Sequence, residues 1–253
     1  MAKKHLVIGN WKMNAGTAED AKHIAQKTRL IAAHLKRTEV VACPSFVFVP
    51  LAASRTSAKN FSLGAQSASI HEGGSHTGDV SALMLKSLGV EYVIAGHSEE
   101  RTAGDTDEIV SKRVARILEA GLTAVVCVGE KTREESGAHF DFLREQIKNT
   151  FANVPQAKAK HIVLAYEPVW AIGAKEAMVP EQVHEMSIFV KKAFSDIFGQ
   201  DVAMKTKVLY GGSVNAQNAS DIMNIGKVDG LLVGRESVNP PGFSELLKAV
   251  DAI

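Results

Sequence analysis

The 253-residue chain carries 29 Lys plus Arg against 28 Asp plus Glu, with 45 % hydrophobic and 23 % charged residues. That apolar content buries a full core and excludes a disordered, collagen-like or membrane-spanning chain. A formal net charge of +1 leaves no basic footprint for nucleic acid or for an acidic membrane, so an anionic ligand must be held by local geometry.

In chain order, the first ten residues offer only Leu6, Val7 and Ile8 as large apolar side chains beyond the initial Met, too few for a signal-peptide core. Nothing later approaches the ~20 apolar residues of a membrane span. Apolar runs recur at roughly thirty-residue intervals, each followed by a longer helical pattern. They are Leu6–Gly9, Glu39–Ala42, Phe61–Ala65, Tyr92–Ala95, Thr123–Val128, Ile162–Tyr166, Lys207–Tyr210 and Gly230–Val233. The runs are continuous rather than alternating and rich in Val, Ile and Leu, as in parallel strands buried on both faces.

Three intervening segments carry clear helix signals. From Thr17 to Leu35 the residues Ala21, Ile24, Ala25, Ala32 and Leu35 keep a helical period, with Thr17 as N-cap. Asp105-Thr106-Asp107-Glu108 reads as a capping box ahead of Ile109, Val110, Val114, Ile117 and Leu118, with Gly121 at the C′ position. Pro180 suits the first turn of a helix whose Val183, Met186, Phe189, Val190, Phe194 and Ile197 face one way before Gly199 stops it. The shortest unit runs from Ser213 to Lys227.

Strict β-then-α alternation means parallel strands joined by right-handed crossovers, in an open doubly wound sheet or a closed barrel. Eight such units in 253 residues match an α/β fold of the (β/α)8 barrel type, eight parallel strands with eight surrounding helices. No Pro/Gly/Ser-rich linker divides the chain, so residues 1–253 read as a single domain. Cys43 and Cys127 are the two cysteines, each in or at the end of an apolar run, the pattern of reduced packing thiols in a cytoplasmic protein.

In a barrel, function lies where the strands end at their C-termini. Polar residues gather there, in Asn10-Trp11-Lys12, Gly96-His97-Ser98-Glu99, Glu167, Gly211-Gly212-Ser213 and Gly234-Arg235. Lys12 offers a cation to an anionic substrate or, desolvated, an amine for a Schiff base. His97 precedes Ser98-Glu99, which opens a short helical turn whose amides face the imidazole and favour a neutral ring that donates to a carbonyl oxygen. Glu167 ends a buried strand, a setting that keeps a carboxylate basic enough to take a carbon-bound proton; the bland reading is an ion-paired carboxylate. Pro168 and Trp170 stiffen a hinge ahead of the small apolar stretch Ala171-Ile172-Gly173-Ala174, which reads as a lid closing over ligand. The glycine turns after the seventh and eighth runs let backbone amides approach a phosphate. His71-Glu72-Gly73-Gly74-Ser75-His76 has the wrong spacing for a zinc helix, and no metal site is read.

Taken in order, Asn10-Trp11-Lys12, Gly96-His97-Ser98-Glu99, Ala165-Tyr166-Glu167-Pro168-Val169-Trp170-Ala171-Ile172-Gly173 and Tyr210-Gly211-Gly212-Ser213 resemble the signatures of the triosephosphate isomerase family over essentially the whole chain. The resemblance implies interconversion of dihydroxyacetone phosphate and glyceraldehyde 3-phosphate through a cis-enediolate. It makes Glu167 the base, neutral His97 the electrophile, and Lys12 with Asn10 the stabilisers of developing charge. The phosphate is gripped by amides of Gly173, Ser213, Gly234 and Arg235, Glu99 supports the site, and Cys127 matches the family's cysteine on the fifth strand. No metal or organic cofactor is implied. Ser75-His76-Thr77-Gly78-Asp79-Val80-Ser81 resembles the family's protruding third loop, which implies a homodimer with Thr77 at the interlock.

Four positions depart from the family pattern. Glu100 precedes Arg101 where two arginines are usual, which puts a structural ion pair in question. Lys175 stands in the second half of the lid where glycine is common. Arg235 replaces a second glycine, so its side chain must leave the site while its amide still donates. Asp79 replaces a commoner glutamate.

Overall fold

The computed structural model describes residues 4–53, 58–133, 136–171 and 178–253. The apolar runs form eight strands: β1 His5–Asn10, β2 Thr38–Cys43, β3 Phe61–Ala65, β4 Val90–Ala95, β5 Thr123–Val128, β6 Ile162–Tyr166, β7 Val208–Tyr210 and β8 Gly230–Val233. Each is parallel to its sequence neighbours, and β8 returns to β1, closing a barrel in the order β1 to β8. The strands outrun the apolar signal where polar residues such as His5, Asn10 and Thr38 continue the ladder. β7 instead starts one residue late, at Val208.

The continuous apolar runs serve two cores at once. Leu6, Ile8, Val41, Cys43, Ile94, Val125, Cys127, Val163, Ala165, Leu209 and Leu232 pack together inside the barrel. Their neighbours Val7, Val40, Val93, Val126, Leu164 and Leu231 join the larger cluster beneath the helices. Each fully buried Val, Leu or Ile contributes about 1.5–3 kcal/mol, so neither face can turn polar cheaply.

Ten α segments are present among the described residues: α1 Ala18–Ala32, α2 Val49–Ala52, α3 Ala82–Ser87, α4 Ser98–Ala103, α5 Asp107–Glu119, α6 Ala138–Thr150, α7 Pro180–Phe198, α8 Gln200–Lys205, α9 Ala219–Asn224 and α10 Pro240–Asp251. The crossovers after β4 and β6 each hold a short helix beside a long one. Thr17 caps α1 by accepting from the Asp20 amide at 3.1 Å. The helix ends at Ala32, and Leu35, although in period, is buried in the connection to β2. α5 is capped by Thr106, which puts Ile109 at the third helical position, so the reciprocal capping box does not form. Glu108 instead pairs with Lys112 at 2.7 Å. Gly121 (φ 76°) ends α5 in a Schellman motif, with its N–H donating to the Leu118 carbonyl and that of Leu122 to Ile117, both at 3.1 Å. α7 starts at Pro180, buries Val183, Met186, Val190 and Phe194, half-buries Phe189 and Ile197, and stops before Gly199. No helix among the described residues is long and apolar enough to cross a membrane.

Barrel closure depends on Gly230, which pairs with Leu6 and Leu209. A Cβ there would stand 1.8 Å from the Leu6 carbonyl oxygen and 2.9 Å from Leu209 Cδ2. Gly230→Ala should therefore destabilise the fold by about 3 kcal/mol or more, since the obstruction is backbone that cannot rotate aside. A urea midpoint equal to that of the parent protein would contradict this.

The chain's three tyrosines lie on strands. Burial pushes all three phenols up, Tyr210 to about 12, helped by Glu39 beside Tyr92 and Glu130 beside Tyr166. A raised phenol favours the protonated folded state, so its stabilisation is complete below the unfolded value of about 10. That stabilisation is lost as pH rises through about 12 for Tyr210. In an alkaline titration, tyrosinate absorbance should rise together with loss of helical circular dichroism; a phenol ionising near pH ~10 in the folded protein would refute it.

Candidate active site

The strand ends surround a cleft of about 790 Å³ whose lining includes Asn10, Lys12, His97, Glu99, Glu167, Ser213, Gly234 and Arg235. Residues from β1, β4, β6, β7 and β8 thus meet in one place, although up to 225 positions separate them in sequence. Gly173 and Lys175 lie outside the described residues. Thr77 lies elsewhere, in an exposed segment over residues 72–79.

Asn10 is the last residue of β1 and is buried; its Oδ1 accepts from the Lys12 amide at 3.1 Å. Lys12 has φ 51°, in the left-handed region, which costs a non-glycine residue roughly 1 kcal/mol. Its carbonyl accepts from Ser45 Oγ at 2.8 Å and Gln66 Nε2 at 2.9 Å. Its Nζ meets Glu99 Oε1 at 2.6 Å, so the amine is engaged as an ion-pair partner. Burial works to raise the Glu99 carboxyl, but the hydrogen bond and charge of Lys12 outweigh it and hold the group below the ordinary carboxylate value.

His97 caps α4. Its Nδ1 accepts from the Glu99 amide at 3.2 Å. An amide only donates, so Nδ1 is unprotonated and the ring proton sits on Nε2. That nitrogen faces Glu167 Oε1 at 3.2 Å. Ser98 follows, and its amide, orphaned in the first helical turn, donates to Glu167 Oε2 at 3.2 Å.

Glu167 is 2 % exposed. Cys127 lies close by, and its thiol is pushed up by burial and then by the Glu167 carboxylate. Glu167 is seated between two glycines, Gly129 against its backbone and Gly211 against its side chain. A Cβ on Gly129 would lie 1.7 Å from the Glu167 carbonyl oxygen, and one on Gly211 would lie 2.8 Å from its Cγ. Among the described residues the Glu167 carboxylate meets an amide and an imidazole, and no lysine or arginine is paired with it.

Residues either side of 172–177 are anchored. Glu130, itself buried, accepts from Tyr166 at 2.8 Å and from the Trp170 indole at 2.9 Å. Beyond the segment, the Met178 amide donates to the Tyr210 hydroxyl at 3.3 Å. A Cβ on Gly212 would lie 2.2 Å from that hydroxyl, so the second glycine of the pair makes room for Tyr210.

The position held by Glu100 does not cost an ion pair. Arg101 bonds Asp107 at 2.5 Å and the carbonyls of Gly96 and Cys127 at 2.8 and 3.3 Å. Glu100 pairs separately with Arg113 at 2.6 Å, and burial raises its carboxyl against the opposing pull of that guanidinium. Arg235 is exposed and opens a short 3-10 helix, Arg235–Val238. Asp79 closes its loop by accepting from Ser69 Oγ at 2.5 Å.

Ser45, Gln66, Glu130 and the role of Tyr210 escape sequence reasoning because these groups bind other protein atoms. Gln66 carried the available signal, a polar residue immediately after a buried strand.

The triosephosphate isomerase family model matches residues 5–250. A protein of Acetivibrio thermocellus named triosephosphate isomerase is 39 % identical over 251 residues, covering 98 % of this chain and 99 % of its own length. Proteins of the same name from Thermus thermophilus and Aquifex aeolicus are each 37 % identical, covering 97 % and 96 % of this chain and 98 % of their own lengths. With the barrel closed and these residues around one cleft, the chain belongs to the triosephosphate isomerase family.

Proposed function

We propose that this chain interconverts dihydroxyacetone phosphate and D-glyceraldehyde 3-phosphate through a cis-enediolate, with Glu167, His97, Lys12 and Asn10 performing the chemistry. The observation that carries the proposal is the direct contact of Glu167 with His97 Nε2 in the cleft shared with Lys12. A base and a neutral hydrogen-bond donor at that separation can address adjacent carbon and oxygen atoms of one small substrate.

Glu167 takes a proton from C1 of the ketose as electrons move toward the carbonyl oxygen. The Nε2–H of His97 and the Lys12 ammonium stabilise that oxygen, with the Asn10 amide beside them. The enediolate is then reprotonated at C2 by Glu167, while a hydroxyl proton passes between the two oxygens. Each proton removed is returned, so the isomerisation calls for a base, an acid and an oxyanion stabiliser, without a metal or organic cofactor. Glu99 holds the Lys12 ammonium, in keeping with the 2.6 Å pair. Amides of Ser213, Gly234 and Arg235, with Gly173 from the lid, hold the phosphate, and the lid excludes water so that the enediolate does not expel it.

The active form is a homodimer that docks the Thr77 loop against its partner. Support comes from that exposed loop and from exposed apolar side chains, among them Met13 at 90 %, Val47 at 74 % and Met84 at 56 %. Two free, buried thiols support a cytoplasmic setting, and residues 1–253 act as one domain.

Glu167→Asp should lower kcat about a hundredfold or more with an unchanged unfolding midpoint, because a carboxylate drawn back by one methylene misses its carbon. A coupled assay giving near-parental turnover would remove Glu167 as the base. In sedimentation velocity the protein should run at twice the 27.1 kDa chain mass. A single species at the chain mass at micromolar concentration would dispose of the dimer.

A further inference from the structure

We propose that Gln66 is a positioning residue that clamps the backbone of Lys12 in its left-handed conformation and so aims the ammonium into the cleft. The inference rests on the role given to Lys12 above.

Lysine rarely occupies the φ of 51° found at position 12, and such a conformation persists only where its surroundings over-determine it. Here both backbone polar groups of the residue are taken. The N–H donates to Asn10 Oδ1, and the carbonyl accepts from both Ser45 Oγ and Gln66 Nε2. The same Gln66 amide nitrogen donates to the carbonyl of Cys43 at 2.9 Å, at the end of β2. That carbonyl also accepts the Trp11 N–H at 3.1 Å. Gln66 directly follows β3, so one side chain ties the loop after β1 to the ends of β2 and β3.

Glycine would relieve the strain at position 12 but would carry no cation, so a clamp from outside is the remaining way to keep a lysine there. Without it, φ is free to return to the negative region, which swings the four-carbon stem and separates Nζ from its cleft-facing place beside Glu99. The neighbouring residue extends the tie. Ser67 Oγ is bonded by Arg113, whose guanidinium holds Glu100 on α4, the helix that His97 caps. The dipeptide after β3 therefore registers the Lys12 loop against the His97 helix.

The test is a double-mutant cycle on kcat/KM with the full chain, using Gln66→Met, which keeps length and removes the donor, and Lys12→Ala, assayed at raised enzyme concentration. Gln66→Met should lower kcat/KM about tenfold in the parent and less than about twofold when Lys12 is already alanine. Equal losses in both backgrounds, or no loss in the parent, would overturn the clamp, because a general structural role does not depend on the ammonium. Parental activity in Lys12→Ala alone would instead strike at the role given to Lys12. If Gln66→Met fails to fold, Ser45→Ala removes the other donor to the same carbonyl. It should cost about threefold in the parent and nothing measurable beside Lys12→Ala; a loss equal in both backgrounds would overturn the proposal.

Discussion

The carboxylate of Glu167 is almost wholly out of water, and the rest of the site is arranged around that fact. A buried carboxylate without hydrogen bonds costs several kcal/mol or more. The Ser98 amide donates to it, the His97 imidazole stands 3.2 Å away, and Cys127 lies near enough for the charge to push its thiol up. Two of these groups come from the turn that opens α4 and the third from β5. The amide is free because it opens α4, the imidazole is turned by the Glu99 amide, and the thiol lies on β5. Gly129 and Gly211 then leave the space that the glutamate itself fills.

Positive charge is kept off that carboxylate. Lys12 is paired with Glu99, and Arg101 with Asp107. A cation bonded directly to Glu167 would add ion-pair attraction to hydrogen bonds that the carboxylate's own charge already assists, and a carboxylate held that firmly would have to break the pair before reaching a ligand. Neutral donors are exchanged at lower cost. Within the cleft, Lys12 is thus balanced by Glu99 and not by Glu167.

The strands were legible because a parallel strand covered on both faces leaves an unbroken apolar run, and helix starts were legible at Thr17 and Pro180. The failures have physical causes. Leu35 keeps helical period but is buried in a connection, and periodicity does not separate the two. Glu108 stands three residues after Asp105, yet Thr106 takes the cap, so the box spacing was present on the wrong residue. At the cleft, Lys12, His97 and Glu167 stood out because charged side chains after buried strands need a reason. Glu130 and Gln66 did not, since their work is to hold backbone, indole and phenol groups that only the folded chain brings near. Gly211-Gly212 read as a turn for phosphate, whereas each glycine also clears a specific atom, Glu167 Cγ or the Tyr210 hydroxyl.

The short helix α4 shows how much of this precision is tertiary. Its six residues are far fewer than the roughly 12–15 that make an isolated helix even marginal in water, so its own hydrogen bonds cannot fix the His97 ring. Adjacent residues of opposite charge pin it on two sides. Arg101 reaches back to the Gly96 and Cys127 carbonyls at the ends of β4 and β5, while Glu100 reaches Arg113 on α5. A buried ion pair adds little net stability, because desolvation offsets most of its attraction, but losing one partner is costly. Such a pair therefore fixes register more than it strengthens the fold. At position 100 the requirement is for a charge that meets its complement on α5, and glutamate satisfies it here because Arg113 is the opposite partner.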